Sequence, residues 1–154
     1  MSRGIAAVLV TAVLSSTGCN GQTPEAQKAA ADHLQRAAQE PGAVKTESGL
    51  VFRTLTPGTG AQPKATDMVR VHYHGTLPGG KIFDSSVDRG EPAEFRLNQV
   101  IACWTEGVQL MHVGEKAELV CPASIAYGDR GAGGVIPPGA TLIFEVELLG
   151  IKSQ

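Results

Sequence analysis

Apolar residues recur at every second position in much of the chain after Gly49, and this period limits the possible fold more than any other feature. Polar residues fill most of the positions between them, as Arg70 and His72 do in the first run. Successive side chains of a strand point to opposite faces, so these runs predict antiparallel strands with one buried and one solvated face. The apolar members of the four runs are Val69, Val71 and Tyr73; Ala93, Phe95 and Leu97; Ala117, Leu119 and Cys121; and Leu142, Phe144, Val146 and Leu148.

One stretch between the second and third runs has a helical period instead. Ile101, Trp104, Val108 and Met111 follow one another at intervals of three or four residues and form a single apolar stripe. A sheet and a helix bury their apolar sides most simply against each other. We therefore predict an α+β fold in which a twisted antiparallel β-sheet wraps around one short α-helix.

A further short helix is predicted over residues 23–40, ahead of the first strand. Pro24 suits its first turn, and Pro41 followed by a glycine ends it. Its apolar stripe consists of alanines and Leu34, so we expect it to bury little and to act as a solvated spacer. A dimer contact would need more apolar surface than this stripe offers, and we expect a monomer.

The first 18 residues are typical of a secretory signal, with Arg3 ahead of an apolar stretch and small residues before Cys19. A membrane-spanning helix would need about 20 apolar residues, which this stretch lacks. The Gly18-Cys19 junction resembles a bacterial lipoprotein signal, in which the cysteine receives the lipid, although Ser16 stands where leucine is usual. We expect a signal peptide over residues 1–18 and a lipid on Cys19, with ordinary cleavage after Gly18 as the alternative.

The charge of the chain argues against a nucleic-acid partner. The formal net charge is −2, and loss of Arg3 with the signal would take it from −2 to −3. A nucleic-acid-binding domain carries a basic patch and a high pI instead.

Two cysteines, Cys103 and Cys121, remain once Cys19 is set aside. In an oxidising envelope compartment such a pair can form a disulfide. Two buried free thiols are the alternative, because cysteine also packs as a small hydrophobic residue. The sequence leaves both states open.

The inward strand positions collect aromatic side chains on the side of the sheet where the predicted helix carries the only tryptophan, Trp104. These side chains are Tyr73, Phe95 and Phe144, and each alone is most simply a core residue. The chain has no phosphate loop with its lysine and no Gly-x-Ser-x-Gly motif. Any active site is therefore predicted to be an apolar cavity that contains Trp104.

Six sequence blocks resemble the FKBP-type peptidyl-prolyl isomerases over roughly residues 46–152. Their order and spacing carry the resemblance, and the segments 46–50 and 104–111 are most similar to envelope members related to the macrophage infectivity potentiators. The blocks are Val71-His72-Tyr73, Phe83-Asp84-Ser85-Ser86, Val100-Ile101 with Trp104, Ala126-Tyr127-Gly128, Ile136-Pro137-Pro138 and Phe144-Glu145-Val146-Glu147-Leu148-Leu149.

The resemblance implies an active site in the cavity between sheet and helix. Trp104 would form its floor, and Val135 and Ile136 would belong to a loop that overhangs it. The walls would be formed by Tyr73, Phe83, Val100, Ile101 and Phe144.

The resemblance also implies a small polar set at this cavity. Asp84 and the backbone of Ile101 would contact the substrate, and Tyr127 would donate its hydroxyl to a substrate carbonyl. Arg89 would support Asp84 and Tyr73. Without the resemblance, Asp84 would be interpreted as a turn residue that caps the backbone.

The function implied for residues 46–154 is peptidyl-prolyl cis–trans isomerisation without a cofactor, behind a helical spacer over residues 19–45. The expected substrates are proline-containing unfolded or nascent envelope proteins, and macrolides are possible inhibitors. The expected location is the bacterial envelope, with a lipid anchor at the periplasmic face of the outer membrane, or a soluble periplasmic or secreted form. The alternative function is a non-catalytic proline-binding chaperone or assembly module that uses the same pocket.

Three positions depart from the best-known eukaryotic members of the family. Ala93 stands where an aromatic residue is frequent, Gln99 where an acid is common, and Ala132 where a histidine can occur. These departures leave substrate preference and affinity for macrolides open.

His72 and His74 could suggest a metal site, since they lie two residues apart in one run. Zinc usually takes three or four protein ligands, and no carboxylate or cysteine cluster accompanies this pair. We interpret both as solvent-facing side chains. The serines at 85 and 86 are not expected to act as nucleophiles, because the sequence reveals no histidine partner for them.

Overall fold

The computed structural model describes residues 24–132 and 135–152, so the predicted signal peptide and Cys19 lie outside the described residues. Short 3₁₀ turns occupy Leu97–Gln99, Ala123–Ile125 and Gly128–Arg130. The helices are α1 (Pro24–Gln39), α2 (Ser86–Arg89) and α3 (Ala102–Gln109). The strands are β1 (Ala43–Lys45), β2 (Val51–Thr56), β3 (Met68–Thr76), β4 (Ile82–Ser85), β5 (Ala93–Arg96), β6 (Lys116–Cys121) and β7 (Leu142–Lys152).

The strands form one seven-stranded sheet in the order β1-β2-β6-β7-β3-β4, with β5 also paired to β3. Strand β3 pairs along one edge with β7 over its whole length. Its other edge is shared, with β5 beside Met68–Val71 and β4 beside His74–Thr76. The chain between β4 and β5 therefore leaves the sheet next to the middle of β3, where α2 lies.

The inward side chains of the four alternating runs lie on the concave face of the sheet. Val71, Leu119 and Val146 are fully buried there, and Tyr73 and Phe144 are only 5% and 4% exposed. Helix α3 packs against this face through Trp104 and Val108, and Met111, two residues after the helix ends, is buried in the same cluster. The predicted α+β fold, a twisted antiparallel sheet around one short helix, is confirmed.

Helix α1 lies where the sequence predicts a helix, but the expectation that it buries little is wrong for its C-terminal half. Ala37 is 8% exposed, and Leu34 packs with it against Val51 and Val120. The outer face of the sheet carries this small second core because Val120 and Ile143 interrupt the polar positions of β6 and β7. Within residues 24–132 and 135–152, no helix combines the length and the hydrophobicity that a membrane crossing requires.

Strand β1 is a further difference from the predicted spacer, because Ala43–Lys45 pairs antiparallel with β2. A salt bridge of 3.5 Å between Arg53 and Glu40 holds the preceding turn to the sheet. The C-terminal part of the segment assigned to the spacer is thus part of the folded unit.

A disulfide joins Cys103 of α3 to Cys121 at the end of β6, with the two Cα atoms 5.8 Å apart. Both cysteines are fully buried. The cross-link therefore ties the helix that carries Trp104 to a central strand of the sheet.

The double variant Cys103→Ala/Cys121→Ala is expected to lose about 3 kcal/mol of unfolding free energy, the value that loop-closure entropy gives for a separation of 18 residues. Urea unfolding of the oxidised protein and of the variant measures the difference. A reducing agent should destabilise the wild-type protein and leave the variant unchanged. Equal unfolding midpoints for oxidised and reduced wild-type protein would contradict a stabilising disulfide.

Candidate active site

A cavity of about 670 Å³ opens between α3 and the concave face of the sheet. Ten of the eleven residues that the resemblance assigns to the site line it: Tyr73, Phe83, Asp84, Val100, Ile101, Trp104, Tyr127, Val135, Ile136 and Phe144. The eleventh, Arg89, does not line the cavity. Three further residues, Phe95, Gln99 and Ala132, complete the lining. Of these, Phe95 lies inward as its place in the alternating run predicts, but the resemblance does not assign it to the cavity.

Trp104 lies at the centre of an aromatic cluster. Three rings stand nearly perpendicular to its indole at centroid distances of 5.2 Å for Tyr73, 5.4 Å for Phe95 and 5.3 Å for Phe144. Phe83 continues the wall by packing edge-to-face on Phe144 at 5.3 Å. An edge-to-face pair of rings contributes more stabilisation than the burial of the two rings alone. The cluster therefore gives the cavity a rigid wall.

The indole nitrogen of Trp104 is buried and has no hydrogen-bond partner within the described part of the chain. Perpendicular packing is the arrangement in which the face of a neighbouring ring can accept such an N–H group. With only 4% of its surface exposed, Trp104 belongs to the core as well as to the cavity.

One polar network stands at the edge of the cavity. The Tyr73 hydroxyl donates a hydrogen bond of 2.6 Å to Oδ2 of Asp84, and Arg89 donates one of 2.5 Å to Oδ1. Arg89 also donates to the Tyr73 hydroxyl at 3.1 Å. Both oxygens of the carboxylate are therefore held in fixed positions.

The ionisation of Asp84 follows from these contacts. Partial burial opposes the charged form, but the hydrogen bonds from Tyr73 and Arg89 outweigh it and hold the pKa of the carboxyl below its ordinary value. Burial is the largest cause that raises the pKa of the Tyr73 hydroxyl. At neutral pH, Asp84 is therefore an anion and Tyr73 a neutral donor.

Helix α3 is positioned through its first turn. The carbonyl of Ile101 accepts hydrogen bonds from the N–H groups of Trp104 and Thr105, at 3.0 and 3.1 Å. The Thr105 hydroxyl donates to the carbonyl of Leu97 in the preceding 3₁₀ turn. These contacts fix Val100 and Ile101 at the cavity, immediately before the helix begins.

On the opposite side of the cavity, a loop is held by backbone hydrogen bonds between its own residues. Ala132 and Ile136 exchange two backbone hydrogen bonds of 3.0 Å. Gly131 has a φ of +66°, and a Cβ atom there would lie 2.2 Å from the carbonyl oxygen of Ile136, so only glycine fits. The loop presents Tyr127 and Val135, which are 40% and 41% exposed, at the mouth of the cavity.

His72 and His74 are not the solvent-facing side chains that the sequence suggested. Both are half-buried, and each ring nitrogen Nδ1 lies within hydrogen-bond distance of a serine: Ser86 at 3.2 Å and Ser85 at 2.9 Å. The expectation that these serines have no histidine partner is therefore wrong. The pairing joins strand β3 to the last residue of β4 and the first of α2, at separations of 11 and 14 residues.

Ser86 is structural rather than nucleophilic in this arrangement. It is fully buried, and its hydroxyl oxygen accepts a hydrogen bond of 2.8 Å from the backbone N–H of Tyr73. Ser85 caps α2 by accepting the N–H of Asp88. Ser86 thus fixes the backbone of Tyr73, and Ser85 fixes the start of the helix that carries Arg89. Within residues 24–132 and 135–152, no three potential ligand side chains converge on a metal site.

Gly75 of β3 supports two of the cavity's rings from behind, which the sequence did not reveal. A Cβ atom there would lie 2.5 Å from the tip of the Phe83 ring and 3.1 Å from the Phe144 ring. The missing side chain is what allows both rings to lie over the strand. A glycine inside an otherwise regular strand is the sequence signal for such a close approach.

The fold and this aromatic cavity define the class of protein. A family model of FKBP-type peptidyl-prolyl cis-trans isomerases matches residues 59–149. The chain belongs to this family.

Similar proteins come from several bacteria. The chain is 57% identical over 128 residues to the isomerase FkpA of Aeromonas hydrophila, over 83% of this chain and 47% of that protein. It is 47% identical over 113 residues to the outer membrane protein MIP of Legionella longbeachae, over 73% of this chain and 48% of that protein. The chain thus spans about half the length of these two relatives. A crystal structure of a peptidyl-prolyl isomerase from Pseudomonas syringae pv. tomato matches with a TM-score of 0.79 and 41% identity, over 88% of this chain and 100% of that one.

The substitution Gly75→Ala should destabilise the protein by about 1–3 kcal/mol, because the new methyl group forces Phe83 and Phe144 to move. Gly150→Ala is the matched control. Gly150 also lies in a strand, but a Cβ atom added there would have no neighbouring atom within 4 Å. Urea unfolding of both variants measures the effect. Equal stability of the two variants would contradict the close packing at Gly75.

Proposed function

We propose that the chain is a peptidyl-prolyl cis–trans isomerase that accelerates rotation about X-Pro bonds. The observation that carries this proposal is the cavity with Trp104 as its floor and the fixed Asp84 carboxylate at its edge, in a chain of the FKBP family. Such rotation must break amide resonance at a cost of about 18–20 kcal/mol, and it takes tens to hundreds of seconds without a catalyst.

The apolar wall accounts for one part of the catalysis. A planar amide has a larger dipole than a twisted one, so water stabilises the ground state more than the transition state. Burying the prolyl ring against Trp104 removes this water, and a cavity shaped for the twisted form binds the transition state preferentially. Each 1.36 kcal/mol of such preference is about tenfold in rate.

The polar edge accounts for another part. When resonance is lost, the carbonyl carbon receives less electron density from nitrogen and becomes more positive. The Asp84 carboxylate, already oriented by Tyr73 and Arg89, can stabilise this charge without reorganising. The hydroxyl of Tyr127 and the N–H of Ile101 are assigned as hydrogen-bond donors to substrate carbonyls, since the Ile101 carbonyl is used within α3.

The substitution Asp84→Asn should lower the rate of proline-limited refolding of a reporter protein by about tenfold or more, since it removes the charge and keeps the shape. Its unfolding midpoint should stay close to that of the wild type, because the side chain is 44% exposed. Glu47→Gln, an exposed charge-matched change, serves as the control. Trp104→Ala should lose both stability and activity, because Trp104 is also core.

The same assay distinguishes catalysis from binding by a non-catalytic chaperone. A catalyst accelerates refolding at substoichiometric concentration, whereas a proline-binding chaperone acts only near equimolar concentration. Wild-type acceleration that needs equimolar protein would overturn the isomerase proposal. A folded Asp84→Asn protein with an unchanged rate would remove Asp84 from the site.

The proposed substrates are proline-containing unfolded or nascent proteins of the bacterial cell envelope. The isomerase domain is proposed to span residues 46–154 and to act as a monomer. The Cys103–Cys121 disulfide supports this location, since disulfides persist in oxidising compartments such as the periplasm. Similarity to an outer membrane protein of Legionella longbeachae supports it as well. Of the three positions that depart from eukaryotic members, Gln99 and Ala132 line the cavity and would contact a bound macrolide. Ala93 does not line it.

We further propose that a signal peptide over residues 1–18 is removed and that Cys19 carries a lipid anchor at the periplasmic face of the outer membrane. Mass spectrometry of the mature N-terminus should then find a lipidated Cys19, and Cys19→Ala should move the protein from the membrane to the soluble fraction. An unmodified Cys19 at the mature N-terminus would indicate ordinary cleavage and a soluble periplasmic or secreted protein instead. A Cys19→Ala protein that stays on the membrane would contradict the anchor.

A further inference from the structure

A second cavity of about 460 Å³ adjoins the prolyl cavity. Ala132, Val135 and Ile136 line both cavities, so the overhanging loop forms a common wall. The second cavity is therefore within reach of any chain whose proline occupies the first.

The second cavity combines apolar walls with two cations. Leu77, Pro137 and Pro138 supply apolar surface, and Lys81 and Arg130 add the positive charges. The two cations come from different elements: Lys81 closes the turn between β3 and β4, where the N–H of Leu77 donates to its carbonyl at 2.8 Å, and Arg130 ends a 3₁₀ turn.

Among the described side chains, neither cation of this second cavity has a carboxylate partner of the kind that Arg89 has in Asp84. Salt bridges between described side chains involve Arg53, Arg89, His112, Lys116 and Lys152, and neither Lys81 nor Arg130 takes part in one. Two cations beside apolar surface complement a carboxylate on an aliphatic stem.

The occupant is a segment of the substrate itself, because the second cavity continues the surface to which the prolyl cavity opens. An extended chain advances about 3.3–3.6 Å per residue, so a neighbouring cavity is reached within about three residues of the proline. A glutamate there could lay its methylene groups on Leu77 or Pro138 and direct its carboxylate to the cations.

We propose that Lys81 and Arg130 form a specificity site that selects X-Pro substrates with an acidic side chain within about three residues of the proline. This inference rests on the proposed isomerase function and adds a substrate class to it. A charge contact on an exposed surface contributes modestly, so about a three- to tenfold preference for the acidic substrate is expected at low salt.

The test uses amidated, acetylated peptides that differ only in carrying Glu, Gln or Lys at each position within three residues of one X-Pro bond. Both kcat/KM for isomerisation and Kd are measured, the latter from the fluorescence of the single tryptophan, Trp104. At one or more positions the order should be Glu above Gln above Lys at low salt. The differences should shrink at 0.5 M salt, where the screening length is only about 4 Å.

The double variant Lys81→Gln/Arg130→Gln should bring the Glu-to-Gln ratio of Kd and kcat/KM close to one. The control Lys45→Gln/Lys64→Gln makes the same charge change at exposed positions outside both cavities and should keep the wild-type ratio. Equal values for all three peptides at every position in the wild type would overturn the proposal, as would a preference that survives in the double variant. A wild type that binds the Gln peptide without isomerising it would overturn the isomerase function, and the Kd ratios would still decide the specificity site.

Discussion

The packing of three perpendicular rings around Trp104 is the interaction on which the rest of the structure depends. Helix α3 has eight residues, and isolated helices of that length are not stable in water. Its position comes from the burial of Trp104, Val108 and Met111 against the sheet and from the disulfide at Cys103. The same contacts that fold the helix therefore form the floor of the cavity, and the floor cannot be altered without changing the stability of the domain.

The polar edge of the cavity is held by different contacts, and its side chains are more exposed than those of the core. Asp84 and Arg89 lie five residues apart in one short segment, and their side chains are 44% and 53% exposed. Ser86 links this segment to β3 through a buried hydrogen bond to the backbone of Tyr73. The charge at the edge of the cavity is thus oriented by a local turn, whereas the apolar lining is set by the whole sheet.

Local periodicity explains what could be predicted from the sequence and what could not. The inward positions of β3, β5, β6 and β7 follow from a period of two, and the stripe of α3 from a period of 3.6. The docking of α1, the close approach of Phe83 to Gly75 and the pairing of His72 with Ser86 each join segments separated in sequence. Those contacts depend on strand order and register, which no local pattern specifies. The roles of Asp84, Arg89 and Tyr127 were named only because the sequence blocks resemble a family.

The proposed isomerase activity on protein chains requires that water be excluded from one bond while a long polymer enters and leaves. The cavity meets these two demands with different surfaces. Trp104 and Phe144 are only 4% exposed and line the apolar interior of the cavity, whereas Tyr127 and Val135, at 40% and 41% exposure, stand at an open mouth. An open mouth leaves the residues that flank the proline in contact with the rim, where contacts to exposed side chains form and break easily. Discrimination between substrates is therefore expected at the rim, through Lys81 and Arg130, while the floor treats every prolyl ring alike.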